Sequence, residues 1–214
     1  MIASLTSVLL LIGSTLAIPT PGKYLSTRQQ DPAALLLSIA PSSGSCSGAP
    51  IASECATAAT AVDPIISSFA LCSISTAAEQ AVLLAWMAYE SAEFKYNQNH
   101  FPAPGTPGQG TRTMMMPTYV AEYVSFLGLK PSSSDPATVL SLVENDQYSF
   151  GSAAWFYHEK CSDDIKTQVK TGSQAGYDAF LTTCVGTQAD EGSGSTSRLA
   201  YWQRATAALG VATS

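Results

Sequence analysis

The chain has 214 residues, 46% of them hydrophobic and only 12% charged, with a formal net charge of −6. That length fits one domain with a sizeable buried core. The acidic balance and the lack of any basic stripe exclude a nucleic-acid binder. They also argue against a protein that holds an anionic wall by charge alone.

The first seventeen residues carry an apolar run, Leu5 to Ala17, ending in the small-x-small triplet Thr15-Leu16-Ala17. This reads as a signal peptide cleaved near Ala17, since the run is too short and too rich in Ser and Thr to span about 30 Å of hydrocarbon. No later segment is apolar enough for a transmembrane helix, so the mature protein is expected to be secreted, extracellular and free of the membrane. Residues 18–31, with Pro19, Pro21 and Gly22, read as a flexible arm or pro-segment. Residues 32–214 form the single expected domain.

Five cysteines in a secreted chain should mostly pair. Cys46 with Cys55 would close a short Ser/Gly/Pro loop, and Cys161 with Cys184 would tie one helix end to the next. Cys72 sits in an apolar stretch and reads as a buried free thiol. No Cys-x-x-Cys occurs and the two histidines are isolated, so no metal site is expected.

In chain order, helical patterning covers 32–40, then 53–69. Thr76 with Glu79 three residues on has the form of a capping box. It opens the strongest helix, Ala77 to Phe94, on which Leu83, Trp86, Met87, Glu90 and Phe94 share a face. Residues 95–112 break all periodicity, and 101–116 could hold one or two short hairpin strands. Further helices are expected at 117–127, 136–143, 148–158, 176–184 and 198–209, with a polar loop at 186–197. The fold class is therefore all-α, bordering on α+β, with a small β-hairpin wing.

Glu90 leads the candidates for chemistry. Apolar neighbours and the electronegative helix C-terminus both raise a carboxyl pKa, and an acid still protonated at working pH can donate to a leaving oxygen. A glutamate facing solvent or bonded to Arg112 is the alternative. The polar-aromatic stretch that follows, with Glu93, Tyr96 and Asn97, suits a carbohydrate groove. Gly108 and Gly110 let a turn approach a ligand and present Gln109, Thr111 and Arg112. Tyr157, on an aromatic helix, could line the cleft. No Asp or Glu lies between Glu93 and Glu122, so the facing loop has no second acid to stand about 5–9 Å across a glycosidic bond. Serine-hydrolase chemistry fits poorly, with no Gly-x-Ser-x-Gly and no nucleophile evident beside His100 or His158.

Four motifs together resemble a group of small secreted fungal lysozyme-like, or muramidase-like, proteins of the lysozyme superfamily. They are Ala88 to Phe94, Gly108-Gln109-Gly110-Thr111-Arg112, Phe150 to Phe156, and Tyr201-Trp202-Gln203-Arg204-Ala205. The resemblance covers about residues 46–210. It implies a lysozyme-like helical domain in which Glu90-Ser91 matches the acid and Gly108-Gln109-Gly110 the hairpin, although Ala92 stands where Gly is common. It implies a monomeric glycoside hydrolase that cuts β-1,4 bonds of an N-acetylated polysaccharide, peptidoglycan before chitin. Glu90 would be the general acid, and Glu93, Tyr96, Asn97, Gln109, Thr111, Arg112 and Tyr157 would form the substrate-binding set, Arg112 either by holding the loop or by contacting an acidic wall substituent; no cofactor would be needed. The alternatives are a non-catalytic glycan-binding or effector protein using the same groove, and a structural wall protein with no groove.

Overall fold

The computed structural model describes residues 31–213. The signal-peptide reading of 1–17 and the arm reading of 18–30 fall outside the described residues. Asp31 is described, and its side chain caps the first helix by accepting from the Ala33 amide.

Among the described residues the fold is all-α. The helices are α1 (Pro32–Ile39), α2 (Ala58–Leu71), α3 (Ala77–Glu90), α4 (Pro117–Phe126), α5 (Pro136–Ser141), α6 (Asp146–Ser149), α7 (Ser152–Lys160), α8 (Asp163–Lys170), α9 (Gln174–Ala179) and α10 (Arg198–Leu209). A π-helical turn, Phe180–Val185, extends α9. None is long and apolar enough to cross a membrane. The hairpin wing does not form as strands: 98–115 holds two isolated antiparallel bridges, Gln98 to Gly110 and Gly110 to Met115. The three prolines and three glycines of this stretch leave too little regular backbone for a ladder.

Caps fix where the helices begin. Thr76 accepts from the Glu79 amide while Glu79 Oε2 accepts from the Thr76 amide, the reciprocal box legible in the sequence. Asn145, Ser162, Ser173 and Ser197 accept amide hydrogens at the starts of α6, α8, α9 and α10. Helix α8 was not among the expected elements. Its signals are the Ser162 cap, Asp163 and Asp164 in the first turn and Lys170 in the last, each favourable to the helix dipole.

Helix α3 is the central element, buried at every residue from Ala78 to Ala88. A helix apolar on all sides needs neighbours on all sides. Here α10 is its main packing partner, and α1, α7 and α8 also lie against it. Trp86 meets Phe156 and Phe180 edge-on at 5.4 and 5.3 Å.

Helix α3 ends at Glu90, four residues before the expected Phe94. Ala92, Glu93 and Phe94 all have positive φ, so the chain turns left-handed directly after the helix. L residues resist that conformation. Ser91 sustains the turn, donating from Oγ to the Met87 carbonyl at 2.6 Å and accepting from the Phe94 amide at 2.9 Å.

Two disulfides are present, Cys46–Cys55 and Cys161–Cys184, and Cys72 is free and buried. The second bridge joins the end of α7 to the π-helical turn across α8 and α9, rather than joining consecutive helices. Such bonds are compatible with an extracellular, oxidising setting.

Candidate functional site

A polar groove of about 590 Å³ opens at the C-terminal end of α3. Tyr89 and Glu90 form its floor at the helix end. Tyr96, Gln98, Asn99, His100 and Phe101 make one wall, with Gln109, Thr113 and Met114 beside them. Val185, Thr187, Glu191 and Arg198 complete the lining. The volume is that of a small-molecule site.

Glu90 is held by Arg198, whose Nη1 donates to Oε1 at 2.7 Å. Arg198 also donates from Nε and Nη2 to Glu191 Oε2 at 3.1 and 2.8 Å, and its guanidinium lies 4.0 Å over the Tyr89 ring. Burial pushes the Glu90 carboxyl above the ordinary glutamate value, and Arg198 opposes that shift without cancelling it. For Arg198, burial works against the charge, but Glu90 and Glu191 outweigh it and raise its pKa. The expected alternative partner, Arg112, is not the one that meets Glu90.

Of the residues expected at the site, Glu90, Tyr96 and Gln109 line the groove. The other five do not. Arg112 is 1% exposed and serves as an internal post. Its Nη1 donates to the carbonyls of Glu54, Phe94 and Tyr96 at 2.8, 3.1 and 3.0 Å, and its Nη2 donates to Asp146 at 3.1 Å. Of the two roles expected for it, it holds its own chain and does not contact a ligand: its donors join the loop before α2, the turn after α3 and α6. Thr111 is buried beside it with Oγ1 unpartnered. Asn97 is buried, its side chain donating to the Glu144 carbonyl at 2.9 Å.

Glu93 was expected one helical turn from Glu90 on the same side. The left-handed turn carries it away, and it accepts from Tyr201 Oη at 2.8 Å and from the Ser42 amide. Tyr157 is buried in the core and donates to Glu79 at 3.3 Å. The glycines also act differently from expectation. A Cβ on Gly110 would lie 2.4 Å from the Asn97 carbonyl oxygen, and one on Gly108 would lie 2.4 Å from Pro136 Cβ. Their small size lets protein pack on protein, not protein on ligand.

The sequence reading missed Arg198, Glu191 and the pair formed by Glu54 and His100. Glu54 sits beside the Cys46–Cys55 staple, 6% exposed. Its Oε1 contacts His100 Nε2 at 2.7 Å. Its Oε2 accepts from the amides of Asn97 and Gln98 at 3.2 and 3.3 Å. One signal for Arg198 was available: a cation at a helix N-terminus opposes the dipole and so calls for an acid. Nothing local marked Glu54 and His100, which are 46 residues apart. Among the described residues, no three His, Cys, Asp or Glu side chains converge as a metal-holding group.

No family model matches the chain, and no solved structure matches it. A protein of Fusarium oxysporum (strain Fo5176), named a bifunctional dioxygenase (DOX)-epoxy alcohol synthase (EAS), is 37% identical over 159 residues. The match takes in 69% of this chain and 12% of the relative, so the chain spans a small part of the relative's length. The relative is named as an oxidative enzyme and not as a glycoside hydrolase. That finding corrects the resemblance to lysozyme-like proteins and sets aside the expected muramidase chemistry, with Glu90 as its general acid.

Proposed function

We propose that the chain is a secreted ligand-binding module whose groove takes an uncharged, hydroxyl-rich ligand of the carbohydrate class. The observation that carries this is the make-up of the groove. The side-chain amides of Gln98, Asn99 and Gln109 and the hydroxyls of Thr113 and Thr187 stand beside the rings of Tyr89, Tyr96 and Phe101. Amides and hydroxyls exchange hydrogen bonds with sugar hydroxyls, and aromatic faces cover the apolar side of a sugar ring. The charged groups of the groove are already engaged with one another: Glu90 and Glu191 both pair with Arg198. An ionic ligand would have to break pairs that a neutral one leaves intact. The match to a small share of a longer oxidative enzyme supports a module that works beside a larger catalytic body.

Titration of the purified protein with triacetylchitotriose, followed by chromatography of the recovered sugar, tests this. The expected result is saturable binding that Tyr96→Ala weakens, with the sugar returned intact.

The relative's name favours a second reading, in which the chain itself takes part in oxidation. Oxygen uptake by the purified chain in the presence of alkenes, the class from which epoxides form, tests it. Uptake above that of the heat-denatured protein would support this reading over simple binding.

A further inference from the structure

On the far side of the 98–109 loop lies a second hollow of about 270 Å³. Gln98, Asn99, His100 and Gln109 line both hollows, so His100 stands at their junction. Its side chain is 28% exposed, against 7% for Glu54. The ring lies 5.6 Å from Tyr96, which in turn meets Phe101 edge-on at 6.0 Å.

Glu54 decides which nitrogen of His100 is free. A carboxylate only accepts hydrogen bonds, so the 2.7 Å contact places the proton on Nε2. Glu54 is itself fixed through Oε2 by the Asn97 and Gln98 amides, and its backbone carbonyl is held by Arg112. Nδ1 makes no hydrogen bond among the described residues and is not a buried orphan. In its neutral form an imidazole so held offers a lone pair at Nδ1, where the linings of the two hollows meet. The amides and hydroxyls of the groove walls both donate and accept; His100 alone among them is held by a buried acid as an acceptor.

We propose that His100 is the specificity-determining acceptor of the groove: Nδ1 takes a hydrogen bond from a ligand hydroxyl, and Glu54 is its positioning residue. The inference rests on the groove-binding reading above. It assigns a donor hydroxyl to the ligand next to the part that lies on Tyr96.

The test uses imidazole ¹⁵N spectra of the whole protein at alkaline pH, alone and with triacetylchitotriose. The chain has two histidines, and His100→Phe identifies which signal is His100. The free protein should show His100 with its proton on Nε2. The sugar should shift the Nδ1 resonance and leave His158 unchanged. His100→Phe should keep the helical circular dichroism and weaken binding about five- to tenfold, the worth of one hydrogen bond. His100→Gln, which restores an acceptor, should recover part of that loss, as a merely structural role would not. A proton on Nδ1 in the free protein overturns the proposal. Sugar binding that leaves Nδ1 unmoved and is unaffected by His100→Phe overturns it while sparing the groove reading. Failure of the wild-type protein to bind the sugar overturns both.

Discussion

Glu90 is the last residue of α3 and Arg198 the first of α10, and they meet at 2.7 Å although 108 positions separate them. Each stands at the helix end that disfavours its charge, an acid at a C-terminus and a base at an N-terminus. Each is also partly or fully withdrawn from water. The pair answers both problems at once. It also fastens α10 to α3, the main packing contact of the fold, at the floor of the groove.

A pH dependence of stability follows. Glu90's folded-state pKa is raised, chiefly by burial, so the native state holds that proton more tightly than the unfolded chain. By linkage, this group's contribution is most favourable below the ordinary glutamate range. It declines as pH rises toward Glu90's raised value. Glu90→Gln should remove that decline, so its melting temperature relative to the parent should improve steadily through this window. A constant offset between parent and variant across the window would contradict the assignment.

Arg112 carries more of the architecture than of the function. Arg112→Met should leave three backbone carbonyls without their donor and cost about 3–5 kcal/mol, read as a shift in urea midpoint. Arg112→Lys should recover little of the loss, because an ammonium cannot replace the planar fork.

Gly110 is a point of close approach between the two halves of the groove loop. With a Cβ placed 2.4 Å from the Asn97 carbonyl oxygen, Gly110→Ala should destabilise by about 1–3 kcal/mol through overpacking. It should also perturb the amide resonances of 97–99. Gly48→Ala, whose Cβ would meet nothing within 4 Å but whose φ of +75° strains an alanine, separates backbone strain from overpacking. It should leave those resonances in place.

Cys72 should be chemically quiet. Burial pushes its thiol up to about 11, with Glu159 adding to the shift, so very little reactive thiolate exists at neutral pH. Iodoacetamide should leave native protein unlabelled and add one group after unfolding without reductant. Rapid labelling of the native protein would contradict the burial.

Much of the fold was legible because its signals are local. The Thr76–Glu79 box announces the start of α3, and the Ser197 cap with Gly210 beyond the last turn brackets α10. The end of α3 was not legible, because the apolar spacing continues through Phe94 while the backbone turns left-handed at Ala92. That turn removed Glu93 from the site. Arg112 was left between two roles for a different reason: a lone arginine in a glycine-rich loop looks the same whether it faces solvent or three segments of its own chain. The groove's charges come from around 90 and from 191–198, and Glu54 supports His100 from a third stretch; pairing at that range leaves no periodic trace. The lysozyme resemblance rested on short motifs, and the longer match to an oxidative enzyme overturned it.

The most direct test of the groove is titration of the ¹⁵N-labelled protein with triacetylchitotriose, followed by amide and side-chain resonances and by chromatography of the sugar. The binding account predicts saturable shifts clustered at Tyr96, Gln98, Gln109 and Met114, with the sugar recovered whole. Absence of saturation, or shifts confined to residues outside that wall, would contradict it.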